Sequence, residues 1–167
     1  MRVLVTGHKG YIGTVLVPML LERGHEVAGL DTDYFGRCLF TGEVPDVPGP
    51  TKDIRDVDAA DVGGFDAVIH LAGLSNDPLG DYRPNLTEDI NEKAAIKLAG
   101  LAKEAGVQRF LFASSCSNYG AGGADFLNED AEFNPVTPYG VSKVNVEAGL
   151  HQLADAGFSP TYLRAST

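Results

Sequence analysis

The sequence predicts an α/β fold built on a doubly wound parallel sheet. Three observations carry that expectation. Short apolar, β-branched runs alternate with helical stretches from one end of the chain to the other. The runs are nearly continuous in apolar residues, as strands covered on both faces must be. The segments with chemical content fall just after those runs, where a doubly wound sheet presents its binding crevice.

The first run, residues 2–5, leads through a glycine-rich segment into residues 11–23. There Ile12, Val15, Leu16, Met19 and Leu20 recur at helical spacing before Gly24. Residues 25–30 read as a second strand ending at Asp31. Residues 32–50 hold three prolines and three glycines without a period, so a long loop is expected, of the kind that is usually functional or mobile. Residues 65–71 form a third clear strand and residues 87–105 a long helix closed by Gly106. Residues 108–114 are a strand, residues 138–156 a helix closed by Gly157, and residues 160–164 begin a last strand. One domain over residues 1–167 is expected, because a single core serves roughly 100–200 residues.

Composition narrows the function. The formal charge is −10 and the pI about 4.7, which argues against nucleic acid or anionic membrane surfaces as partners. No apolar run approaches the roughly 18 residues that span a bilayer, and the N-terminus lacks a signal-peptide pattern. The two cysteines, Cys38 and Cys116, are too few for a disulfide framework or a zinc cluster. The four histidines share no metal spacing, so no metal is expected. These features predict a soluble, cytoplasmic protein.

After the first strand, Gly7, Gly10 and Gly13 stand in G-x-x-G-x-x-G spacing. Gly7 permits a tight turn, Gly10 lets a pyrophosphate approach the backbone, and Gly13 lets the helix pack on the strand. The amides of Tyr11, Ile12 and Gly13, with the helix dipole, favour a bound phosphate. Eighteen residues on, Asp31 ends the second strand, where a carboxylate accepts both hydroxyls of an adenosine ribose and repels a 2′-phosphate. NAD is therefore expected over NADP.

Tyr139 and Lys143 lie four apart at the start of a helix and share a face. An ammonium beside a phenol lowers the phenol's pKa from roughly 10 and makes it a usable acid/base near neutral pH. Ser114 and Ser115 end a strand, where a hydroxyl can meet a substrate oxygen.

With these motifs in order, the chain resembles the extended short-chain dehydrogenase/reductase family, within it the NAD-dependent sugar-nucleotide epimerase/dehydratase group. The resemblance rests on residues 6–13, Asp31, residues 53–56, 70–73, 114–120 and 138–143, and Leu163-Arg164. It implies a Rossmann-like domain with NAD as cofactor and a nucleotide-sugar as substrate. Asp53 and Ile54 would flank the adenine; Leu71, Ala72 and Gly73 would lie along the cofactor, with Ser114 beside it. Ser115 would be the catalytic hydroxyl and Tyr139 the acid/base. Lys143 would be its partner and would also hold the nicotinamide ribose. Asn91 matches a helix asparagine that supports the site in many relatives, although Glu92, Ala94 and Ala95 depart from the usual residues after it. Tyr139 would take a proton from a sugar hydroxyl while hydride moves to NAD+. Cys116 and Ser117 stand where dehydratases carry an acidic pair, which argues against 4,6-dehydration and leaves epimerisation or simple oxidation/reduction.

Ser75 and Asn76 are candidate substrate ligands, with an ordinary Asn-Asp-Pro turn as the alternative. Cys116 is expected to pack in the core, and His70 to be a satisfied sheet residue. Relatives continue past the position of Thr167 into a substrate-binding lobe. The chain is therefore expected to be a fragment, or a shortened protein that forms a homodimer over the open edge. The alternative function is a catalytically inactive dinucleotide-binding module or fragment that binds NAD and self-associates.

Overall fold

The computed structural model describes residues 1–36, 38, 44–75, 77–120 and 127–166. Five strands form one parallel sheet: β1 (Arg2–Thr6), β2 (Glu26–Leu30), β3 (Ala67–His70), β4 (Arg109–Ser115) and β5 (Ser159–Ala165). Their order is β2-β1-β3-β4-β5. The chain winds outward in one direction from β1 to β2 and in the other from β3 to β5. The reversal lies between β1 and β3, where the carboxyl ends of the two strands part and leave a crevice.

Alternation along the strands sorts side chains to two faces. Leu4, Val68, Phe110 and Phe112 pack with Leu98, Ala99 and Ala102 of α5 (Ala94–Glu104) and Val146 and Leu150 of α6 (Pro138–Leu153). Val3, Val5, Val27, Ala67 and Ile69 pack on the other face with Val17 of α1 (Gly13–Glu22) and with Val47. That second layer stops short of β5, whose residues alternate between exposed and half-buried and whose Leu163 is 49% exposed. Among the described residues, the expected two-sided cover therefore holds over β1–β3, reaches β4 through the half-buried Leu111, and fails at β5.

Several boundaries differ from the sequence expectation. The helix expected over residues 87–105 starts earlier, as α4 (Pro84–Thr87), and passes through a π-helical turn, Glu88–Lys93, before α5. α6 ends at Leu153 rather than 156, because the Asp155 carboxylate accepts from the amides of Gly157 and Phe158, 2.8 and 2.9 Å away, and turns the chain. Residues 54–62, unassigned from sequence, fold into a 3-10 turn, Ile54–Asp56, and α2 (Ala59–Val62), each capped by the preceding aspartate. A further helix, α3 (Asp77–Tyr82), follows β3. Among its described residues the 32–50 loop holds no helix or strand, and only a bridge between Asp31 and Thr51 extends the sheet edge.

Candidate active site

The crevice at the carboxyl ends of β1 and β3 is shaped by two glycines. Gly7 sits at φ +74°, and a Cβ there would lie 2.7 Å from the Ala72 amide nitrogen. The glycine loop can therefore touch the turn after β3, where Leu71 donates to the Thr6 carbonyl at 3.0 Å. A Cβ on Gly13 would lie 2.5 Å from the carbonyl oxygens of Gly7 and His8, so only glycine lets α1 start this close to the strand. Tyr11 and Ile12 are exposed at the mouth. Beside the loop opens a cleft of about 490 Å³ lined by His8, Lys9, Thr14, Asp33 and Tyr34 among others.

Asp31 ties the two sides of that cleft together. Its Oδ2 accepts from the Lys9 amide and its Oδ1 from the Asp33 amide, each at 2.9 Å. Asp33 is itself paired with the Lys9 ammonium at 2.8 Å. Asp53 is gripped by Arg55 through Nε at 3.0 Å and Nη2 at 2.8 Å, which holds its carboxyl below the usual range. The neighbouring Ile54 is buried. Gly73 approaches Asn91, whose amide clamps the next residue: Leu74 N donates to Oδ1 at 2.7 Å, and Nδ2 donates to Leu74 O at 2.8 Å. The π-turn that carries Asn91 is the sort of local rewinding that functional sites exploit. Ser75 is exposed beyond it, and Asn76 lies outside the described residues.

The second half of the site is the junction of β4 with α6. Ser115, at the strand end, caps the 3-10 turn Cys116–Tyr119: its Oγ accepts from the Ser117 amide and donates to Ser117 Oγ, both at 3.1 Å. Thr137 caps α6 by accepting from Gly140 N at 3.1 Å, with Pro138 in the first turn. A Cβ on Gly140 would lie 2.8 Å from Ser117 O, so that glycine lets the turn carrying Tyr139 press against the segment that follows Ser115. One helical turn on, Lys143 is buried. Its Nζ donates to Ala113 O at 2.7 Å and sits 4.6 Å from the Phe112 ring centroid and 5.4 Å from that of Tyr139. Burial lowers its pKa to about 8. Thus Tyr139 and Lys143 are held against the end of β4, and Ser115 caps the turn on which Gly140 packs. Ser114 turns away from it, donating to Glu147 Oε1 at 2.5 Å.

A family model for the NAD dependent epimerase/dehydratase family matches residues 3–167. The chain belongs to that family. The UDP-glucose 4-epimerase of Corynebacterium glutamicum is 31% identical over 171 residues, a match that covers 98% of this chain and 50% of the relative. That of Neisseria meningitidis serogroup C is 35% identical over 177 residues, covering 98% and 52%. Among solved structures, the UDP-N-acetylglucosamine 4-epimerase from Methanobrevibacter ruminantium, in complex with UDP-N-acetylmuramic acid, superposes with a TM-score of 0.88 at 27% identity, over 98% of this chain and 54% of that one. The UDP-glucose-4-epimerase from Stenotrophomonas maltophila, with bound NAD and formylated UDP-arabinopyranose, gives 0.85 at 35% identity, over 98% and 52%. The chain spans about half the length of the curated relatives it matches.

Two expectations about this epimerase/dehydratase-family chain need correction. Cys116 is only half-buried, in the 3-10 turn, because that turn lies at the rim of the sheet rather than in the core. His70 is only half satisfied: Nδ1 shares a 2.6 Å bond with Thr6 Oγ1, while Nε2 has no partner among the described residues. Its ring stacks on Phe112 with centroids 5.9 Å apart, and burial, with the Lys143 charge second, pushes its pKa down to about 3. The folded state keeps this imidazole neutral while the unfolded chain protonates it below about 6.5. Stability is then fully present above pH 6.5 and is lost as pH falls towards 3, by roughly 1.4 kcal/mol per pH unit. Urea unfolding at pH 7, 5.5 and 4.5 is expected to show wild type losing stability faster than His70→Asn. Equal slopes would refute the assignment.

Sequence reasoning missed Gly140, Glu147, Asn118 and the structural use of Thr6. Glu147 was open to detection, since it continues the Tyr139–Lys143 face at the same four-residue spacing.

Proposed function

We propose that this chain is the dinucleotide-binding and acid/base part of an NAD-dependent nucleotide-sugar epimerase. The observation that carries the reading is a buried Lys143 whose Nζ lies 5.4 Å from the Tyr139 ring centroid and bonds the carbonyl of Ala113, two residues before Ser115 on β4, the strand next to β3. The residues present fit a dinucleotide: Gly7 and Gly13 leave a backbone cradle that a Cβ would fill, and Asp31 carries a carboxylate to the end of β2. Gly10, Tyr11, Ile12, Asp53, Ile54, Leu71, Ala72, Gly73 and the backbone of Ser114 complete the proposed contacts. When bound, NAD+ supplies a reversible hydride acceptor.

The chain's own residues manage the proton and the oxygen. Tyr139, ionised, accepts the proton of the sugar hydroxyl undergoing oxidation and returns it when the carbonyl is reduced. Ser115 turns its hydroxyl from Ser117 to the same oxygen and steadies the developing charge. Lys143 stabilises the phenolate electrostatically and donates to ribose hydroxyls. Ser75 is the described candidate for a sugar contact, and Asn76 is carried with it from sequence. The activities of the relatives support a UDP-sugar as substrate. A single domain, a homodimer and a cytoplasmic location belong to the same proposal. Light scattering reads the dimer, for which the half-exposed β5 offers surface. Among the described residues no helix is long and apolar enough to cross a membrane.

Calorimetric titration of NAD+ and NADP+ tests the reading. NAD+ is expected to bind in preference, and Asp31→Ala to weaken it by about 10–100-fold, the worth of charge-assisted bonds to two hydroxyls. Asp31→Asn, which retains an acceptor for one loop amide, separates lost ribose bonds from a loosened loop. A folded wild-type chain that binds neither cofactor would sink the proposal for this chain, and binding without turnover of any UDP-sugar would favour the inactive-module alternative.

A further inference from the structure

The face of α6 that carries Tyr139 and Lys143 runs one turn further to Glu147. Two successive turns of the helix are thereby latched to two successive residues of β4. Lys143 Nζ donates to Ala113 O at 2.7 Å, and Ser114 Oγ donates to Glu147 Oε1 at 2.5 Å. Asn118 Nδ2 donates to the same carboxylate oxygen at 2.9 Å and to Ser114 Oγ at 3.2 Å. Arg164 of β5 closes the network, with Nε 3.1 Å from Oε1 and Nη2 2.7 Å from Oε2. Its Nη1 donates to Tyr119 Oη at 2.8 Å and Glu129 O at 2.9 Å, and its guanidinium lies 4.6 Å from the Phe133 ring centroid.

Glu147 is 4% exposed, and a carboxylate so buried is tolerated only when its oxygens are satisfied. Here the partners come from β4, the turn after it and β5, so the carboxylate fixes where α6 stands along the sheet. Apolar packing of Val146 and Leu150 is non-directional and holds the helix down without setting that position. Ser115 is the very next residue of β4. We propose that Glu147 and Arg164 are positioning residues: through Ser114 they hold Ser115 in register with Tyr139 and Lys143. The proposal rests on the functional reading above.

The test uses the full chain with Ser114→Ala, Glu147→Gln and Arg164→Lys. Each is read by NMR titration of the labelled Lys143 side chain, by thermal unfolding and by NAD+ calorimetry. Wild-type Lys143, held below the ordinary lysine value by burial, is expected to titrate at about 8. With the latch broken, α6 shifts, water reaches the ammonium, and the titration rises by about one pH unit towards the ordinary lysine value. Loss of the Glu147 charge alone would move it downward, and Ser114→Ala changes no charge, so the sign separates positioning from electrostatics. Of the other groups beside Lys143, His70 is neutral and Tyr139 is retained throughout. An unchanged Lys143 titration in Ser114→Ala and Arg164→Lys, with only a lower melting temperature, would overturn the proposal even if Glu147→Gln fails to fold. Raised titrations in a chain that binds no NAD+ would uphold the register and overturn the functional reading instead.

Discussion

On the proposed function, Tyr139→Phe in an enzyme that carries this chain is expected to lower turnover of a UDP-sugar by about 100- to 10,000-fold, the usual worth of a positioned acid/base. NAD+ affinity and melting temperature should stay close to wild type. The substitution removes one oxygen from a half-buried ring and leaves the ring under which Lys143 sits, 5.4 Å from its centroid. The backbone that shapes the helix start is untouched, since Thr137 and Gly140 make the cap. A conversion assay on a nucleotide-sugar, with calorimetry beside it, checks both halves. Turnover within threefold of wild type would remove Tyr139 from the chemistry. A joint loss of turnover and cofactor binding would make it a binding residue.

Gly7→Ala is expected to destabilise the fold strongly and to loosen the glycine loop. At φ +74° an L-residue costs about 1–2 kcal/mol, and the new Cβ would sit 2.7 Å from a backbone nitrogen that cannot swing aside, adding about 1–3 kcal/mol of overpacking. A loss of about 3 kcal/mol lowers the melting temperature by roughly 10 °C in a domain of this size. It also prises the glycine loop from the turn after β3, so NAD+ binding should weaken even where the variant is folded. Calorimetric melting and NAD+ titration of the variant measure the two effects. A wild-type melting temperature would show that the loop does not need this close approach.

What could be read from the residues in order was what depends on neighbours in sequence. Glycine spacing, a carboxylate at a strand end, and Tyr and Lys four apart are local patterns, and the parallel sheet follows from apolar runs alternating with helical ones. The family resemblance was carried by the same contiguous stretches. Only the tertiary structure decided how side chains from distant segments are committed. Ser114 belongs to Glu147, 33 residues away; His70 leaves one nitrogen without a partner among the described residues and stacks on Phe112; Asn91 clamps Leu74 across 17 residues. Local geometry sets the first kind of feature because backbone conformation and periodicity act over a few residues. The second kind waits on packing, because a hydroxyl, an imidazole or a carboxylate takes its role from what folding brings within hydrogen-bond reach.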